Sequence, residues 1–140
     1  MQTFLPHPSF RESAKSLDRQ RLGKQRVEVY QILRALAGIT KGWRNHPATR
    51  MWAGHESALA AYGIACCDEW ISRGYEDNLR DKILEFLDPS EQDNMPWWFG
   101  VEEFHSSHRA ALLRKDPEHY GQFGWTDDAE DYWWPTEEQE

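Results

Sequence analysis

Cysteine is nearly absent from this sequence. The two present, Cys66 and Cys67, are adjacent, and neighbours on a helix point in different directions and do not form an ordinary disulfide. A disulfide scaffold is therefore excluded, and a reducing cytoplasm is the expected compartment. No run of about 18 apolar residues occurs, so no membrane-spanning helix is expected. The opening "MQTFLPHPSFRES" lacks a basic region followed by an apolar core, and no secretory signal is expected there. There is no Gly-rich loop to cradle phosphate. No glycine-flanked elbow surrounds Ser106 and Ser107, which argues against a serine hydrolase. The two-residue alternation that marks a strand is missing throughout.

Aromatic residues are plentiful. Eight Trp, six Phe and five Tyr in 140 residues compensate for an apolar share of only 39%, because each ring brings a large area to bury. The length fits one domain spanning residues 1–140. Charge is distributed unevenly. Residues 1–55 hold ten Lys/Arg against three Asp/Glu, a balance of +7, whereas residues 56–140 hold six against twenty-one, a balance of −15. The net charge of −8 opposes tight non-specific binding of nucleic acid at long range. A local basic face can still hold phosphate, since salt screens charges beyond about 8–10 Å.

Helical spacing recurs along the chain. Ser9 or Ser13 can cap a first helix carrying Phe10, Ala14 and Leu17. Gly23 marks either a break or a close approach. From Lys24, a broad stripe through Val27, Val29, Ile32, Leu33 and Leu36 predicts a helix of about four turns ending near Gly38. Residues 38–49 read as a loop. Residues 50–73 read as the longest helix, with Trp52, Leu59, Tyr62, Cys66 and Trp70 at helical spacing and Gly74 closing it. Residues 77–87 and 101–114 predict two more helices, and the end from 116 onward reads as irregular, aromatic and acidic. The expectation is an all-α domain of four or five helices with an irregular aromatic C-terminal segment.

Four groups of residues carry possible chemistry. Arg19, Arg21, Lys24 and Arg26 gather around Glu28; guanidinium groups suit phosphate, and a carboxylate among cations stays ionised and can act on a developing positive charge. The same cluster also arises as a surface ion-pair network of little energetic weight. In "WRNHPATRMWAGHES", Arg44, His46, Arg50, Trp52 and His55 interleave rings and cations in the way that suits stacked bases and paired phosphates. A half-buried, hydrogen-bonded core position is the plainer use of His55. His105 and His108, three apart, share a helix face and could ligate a metal, but the zinc-protease spacing is absent. "YWWP" near the end, with Trp97 and Trp98 upstream, either covers the core or lines a pocket for an extruded base.

Taken in order, "LGKQRVE", "GWRNHPATRMWAGHE", "DEWISRGY" and "SHRAALLRKDPEHY" resemble a bacterial and phage group related to the pyrimidine-dimer DNA glycosylases of the phage endonuclease V type. The resemblance implies a compact all-α enzyme whose first residue's α-amine attacks the nucleotide's sugar carbon, aided by a helix glutamate. On this sequence the nucleophile is then Met1, retained because Gln2 is bulky. Arg26 matches the arginine of the family's Arg-Glu pair, while Val27 stands where that pattern has glutamate. The nearest carboxylate is Glu28, about 100° further round the helix, and a shifted alignment puts Gly23 at the glutamate position instead. The implied phosphate contacts are Arg19, Arg21, Lys24, Arg26, Arg44 and Arg50. The implied pocket holds His46, Trp52, His55, His105 and His108. DNA is the expected partner, for a monomeric enzyme that needs neither cofactor nor metal. The alternatives are a non-catalytic nucleic-acid or nucleotide-binding module of the same fold and a metal-dependent hydrolase.

Overall fold

A computed structural model of the chain describes residues 1–135; the last five residues of the expected domain, 136–140, lie outside the described residues. The fold is all-α. Helices run α1 (Phe10–Ser16), α2 (Arg19–Leu36), α3 (Pro47–Arg50), α4 (Glu56–Ser72), α5 (Arg80–Leu84), α6 (Glu102–Lys115) and α7 (Pro117–Tyr120), with 3-10 turns at Pro89–Glu91 and Gly121–Phe123. No strand occurs among the described residues. The long helices α2 and α4 pack on each other, and α1 and α5 lean on α4.

Side-chain caps set where the helices begin. Ser9, not Ser13, caps α1 by accepting the Glu12 N–H. Asp18 caps α2 by accepting the Arg21 N–H at 3.3 Å, and it also accepts the hydroxyl of Tyr120. His46 caps α3 through Nδ1, with Pro47 in the first turn. Each cap satisfies a backbone donor that has no partner inside its helix.

Three expectations need adjusting. Helix α2 starts at Arg19 and runs through Gly23 without a break, because that glycine is a close approach: a Cβ there would lie 2.9 Å from the Trp70 ring. The helix expected over 50–73 is interrupted. Gly54 adopts φ +83°, which glycine tolerates best, so α3 ends before it and α4 starts after it, leaving Trp52 in the turn between them. Finally, Asp116 caps a short α7 inside the segment read as irregular.

The interior is as aromatic as the composition requires. Trp52, Trp98, Tyr62, Tyr120 and Phe104 are fully buried. The Trp52 and Trp98 rings meet edge to face at 4.9 Å. Both cysteines are free and buried, and burial pushes the Cys66 thiol up to about 12, so it stays protonated.

Gly63 lets α2 and α4 approach. A Cβ on it would lie 2.7 Å from Val29 Cγ1 and 3.1 Å from Ile83 Cγ2. Alanine favours a helix over glycine by up to about 1 kcal/mol, but overpacking a core costs about 1–3 kcal/mol. Gly63→Ala should therefore give a net loss of stability in urea unfolding. A neutral or stabilising result would contradict the tight α2–α4 contact.

Candidate active site

The extended segment from Gln2 to Pro6 is buried, although it belongs to no sheet. Buried backbone groups need partners, and here side chains from three helices supply them. From α2, the Gln25 amide accepts the Phe4 N–H at 2.7 Å and donates to the Gln2 carbonyl at 2.8 Å. Also from α2, Glu28 Oε2 accepts the Gln2 N–H at 3.1 Å. From α4, the Tyr62 hydroxyl donates to the Phe4 carbonyl. From α6, His108 Nδ1 accepts the Leu5 N–H at 2.9 Å, and His105 Nδ1 lies 2.7 Å from the Leu5 carbonyl. Arg109 Nη1 donates to the Pro6 carbonyl at 2.7 Å. The two histidines hold opposite tautomers. His105 Nε2 accepts the Gly100 N–H, which leaves the proton on Nδ1 to donate; His108 accepts at Nδ1, which leaves its proton on Nε2.

This threading brings the start of the chain to an open pocket of about 430 Å³. Gln20, Arg21, Lys24 and Glu28 line it from one face of α2, where residues three and four apart are neighbours. Met1, Gln2 and Phe4 line it from the segment, and Lys115 and Tyr132 complete the wall. Glu28 is the carboxylate of this pocket, and it sits among Arg21, Lys24 and Lys115. His46 is close enough to feel both the chain's α-amine and Glu28. Burial lowers its pKa first and the amine lowers it further, while Glu28 opposes them.

The residues expected at the site are sorted by this geometry. Met1, Glu28, Arg21 and Lys24 share the pocket, with His46 in electrostatic reach. Arg44 is exposed ahead of α3, and Arg50 is exposed as its last residue. Arg26 is not on this face. It lies about 200° round α2 from Glu28, pairs with Asp77 beneath the surface and stacks over the Trp70 ring at 4.5 Å, so its guanidinium is not open to phosphate. Arg19, seven residues earlier, lies on that same side but is exposed.

Trp52, His55, His105 and His108 do not line the pocket. Trp52 is buried and donates from Nε1 to Thr3 Oγ1 at 3.0 Å. His55 occupies the N-cap position of α4, with Nδ1 3.4 Å from the Asn94 carbonyl. The shared face read for His105 and His108 is real, but it grips Leu5. Among the described residues no group of three or more His, Cys, Asp or Glu side chains is arranged to hold a metal.

The sequence marks neither Gln25 nor Arg109 for the site, and marks Tyr62 only as a member of the helical stripe of residues 50–73. The one signal for Gln25 was a polar residue between Leu22 and Val29 on the apolar side of α2. Lys115 and Tyr132 reach the pocket from the far end of the chain, which no local pattern reveals.

A buried N-terminal segment delivers its start to a carboxylate inside a cationic pocket on an all-α fold, the arrangement that the resemblance to the DNA glycosylases implies. The chain belongs to the pyrimidine dimer DNA glycosylase family, which its residues 1–83 match. That span includes Met1, Arg21, Lys24, Glu28 and His46; α6, Lys115 and Tyr132 lie beyond it. No curated protein and no solved structure matches the chain. No helix among the described residues is long and apolar enough to cross a membrane.

The histidine clamp makes the fold sensitive to acid. Burial, and then the charge of His105, push the His108 pKa down to about 3, against about 6.5 in an unfolded chain. A depressed folded-state pKa means that this contribution is fully present above about pH 6.5 and is lost as pH falls toward 3. The loss across that window is on the order of 4–5 kcal/mol. Urea unfolding of the wild type should weaken steadily from pH 7 to pH 4, and His108→Asn, which keeps an acceptor but cannot protonate, should flatten that decline. Parallel pH profiles would contradict the clamp.

Proposed function

We propose that the chain excises a damaged or modified pyrimidine from duplex DNA through a Schiff base, and then cleaves the strand at the resulting abasic site. The observation that carries this reading is the Gln2 N–H on Glu28 Oε2 at 3.1 Å, in the same pocket that Met1 and three cations line. It acts as a single-domain monomer.

The neutral α-amine of Met1 attacks C1′. The glycosidic bond breaks, and its electron pair leaves with the base, which takes up a proton. The sugar ring opens, the amine gives up its protons, and an imine joins the Met1 nitrogen to C1′. Loss of a proton from C2′ then expels the 3′ phosphate, and water hydrolyses the imine to release the enzyme. Glu28 stabilises the positive charge that develops at C1′ and at the iminium nitrogen, and it relays the protons of ring opening. Arg21, Lys24 and Lys115 receive the phosphates next to the pocket, and Arg19, Arg44 and Arg50 receive those farther along the backbone. His46 orients groups at the amine.

Borohydride reduces the imine to a stable amine, so the covalent adduct can be mapped by mass spectrometry. The adduct should sit on the Met1 nitrogen. N-terminal acetylation should abolish it, as should one added residue, which displaces the amine by up to about 3.5 Å. Glu28→Gln should slow base release by about 10²-fold or more yet still give an adduct on a pre-formed abasic site, which bypasses the first step. An adduct on Gln2 in a chain lacking Met1, or on Lys24 or Lys115, would overturn the assignment of Met1. No adduct with any damaged, modified or abasic duplex would overturn the glycosylase reading itself.

A further inference from the structure

Between Glu28 and Glu56 the chain has no acidic residue, but it has Arg34, Lys41, Arg44 and Arg50. Trp43 lies in the loop of this stretch, and two features set it apart. The residue is 51% exposed. Its backbone has φ +66°, and it is the one non-glycine residue with positive φ among the described residues. That conformation is unfavourable for a bulky side chain, yet it falls on the tryptophan and not on Gly42 beside it. Strain of this kind persists where a fixed side-chain direction serves a purpose.

The direction leads to the pocket. The Trp43 ring meets His46 edge to face at 5.7 Å. His46 meets Trp134 at 6.2 Å, Trp134 meets Tyr132 at 5.6 Å, and Tyr132 is part of the pocket wall. A row of rings thus joins an exposed indole to the place where Met1 and Glu28 meet. Packing on His46 accounts for one edge of the indole and leaves the residue half exposed, and Lys41, Arg44 and Arg50 of the same stretch are exposed as well.

Enzymes that do chemistry on a base draw a nucleotide out of the stack, and the step it vacates collapses unless something fills it. Apolar and aromatic side chains perform that role in proteins that unstack DNA, and cations beside the ring pair with the flanking phosphates. We propose that Trp43 is a wedge that enters the base stack of duplex DNA at the position an extruded nucleotide has left. The proposal takes its DNA partner from the reading above and adds the residue that holds the duplex open.

A duplex carrying one tetrahydrofuran abasic analogue tests the wedge without the chemistry, since this sugar has no base to lose and forms no imine. Binding to it and to the same duplex undamaged should be measured for the wild type, Trp43→Ala, Trp43→Phe and Trp43→Gly. Trp43→Ala should weaken binding to the abasic duplex at least about five-fold, the low end for one base–aromatic stack. Its affinity for the undamaged duplex should change less than about two-fold, because the phosphate contacts remain. Trp43→Phe should keep most of the preference. Trp43→Gly, relieved of the positive φ, should lose the preference while unfolding at no lower temperature than the wild type. Equal losses on both duplexes, or no loss on either, would overturn the wedge. Failure of the Schiff-base reading is separable: it would leave no borohydride adduct while the Trp43-dependent preference persisted.

Discussion

Burying an unpaired backbone N–H or C=O costs about 1–3 kcal/mol, and the segment from Gln2 to Pro6 presents a row of them with no strand alongside. The solution is side-chain hydrogen bonding from α2, α4 and α6 at once, and much of the architecture follows from it. Gln25 and Glu28 must face inward from α2. Tyr62 must reach across from α4. His105, His108 and Arg109 must stand on one side of α6. Among the polar groups that this helix bundle holds in its interior, Gln25, Glu28, His105 and His108 are all spent on that one strip of backbone. The same strip carries the start of the chain to its place beside Glu28.

Electrostatics then separates the two faces of α2. On one, Lys24 is exposed and Arg21, half-buried and paired with Asp18 at 3.1 Å, lines the pocket beside Glu28. On the other, Arg26 is drawn down to Asp77 and Trp70, tying α2 to the segment after α4. A buried arginine left without its carboxylate is costly, so that pair serves the packing of the helices and is not available to a ligand. Arg109 is likewise committed, to Asp127 and Glu102 as well as to Pro6. Exposed cations stand at the pocket (Lys24, Lys115) and along the acid-free stretch around α3 (Lys41, Arg44, Arg50), with others such as Arg11, Lys15 and Lys82 elsewhere on the surface. An acidic protein can therefore present a basic site.

What could be read from the sequence follows the range of the forces involved. Local rules worked for the buried stripe Val29, Ile32 and Leu33 of α2, though not for the exposed Val27, and for the Gly74 stop of α4, the extent of α6 and the gathering of Arg21 and Lys24 beside Glu28. Two local readings failed for specific reasons. Trp52 keeps helical spacing with Leu59, but Gly54 turns the backbone between them. Arg26 and Arg21 look alike in a list of cations, but Arg21 pairs locally with Asp18 at the pocket side, whereas Arg26 turns to Asp77, fifty-one residues away. His105 and His108 were placed on a common face correctly, yet the object of that face, the backbone of Leu5, lies a hundred residues earlier. Tyr132 and Lys115 reach the pocket by tertiary folding alone.

If the N-terminal segment is held as a part of the core, its amides should behave like core amides. Hydrogen exchange followed residue by residue is the direct measurement. The Phe4 and Leu5 amides should exchange as slowly as those in the middle of α2 and α4, and Gln25→Ala should speed Phe4 selectively. Exchange of Phe4 and Leu5 at the rate of an unstructured chain, with α2 and α4 still protected, would contradict the account, because Met1 would then have no fixed position beside Glu28.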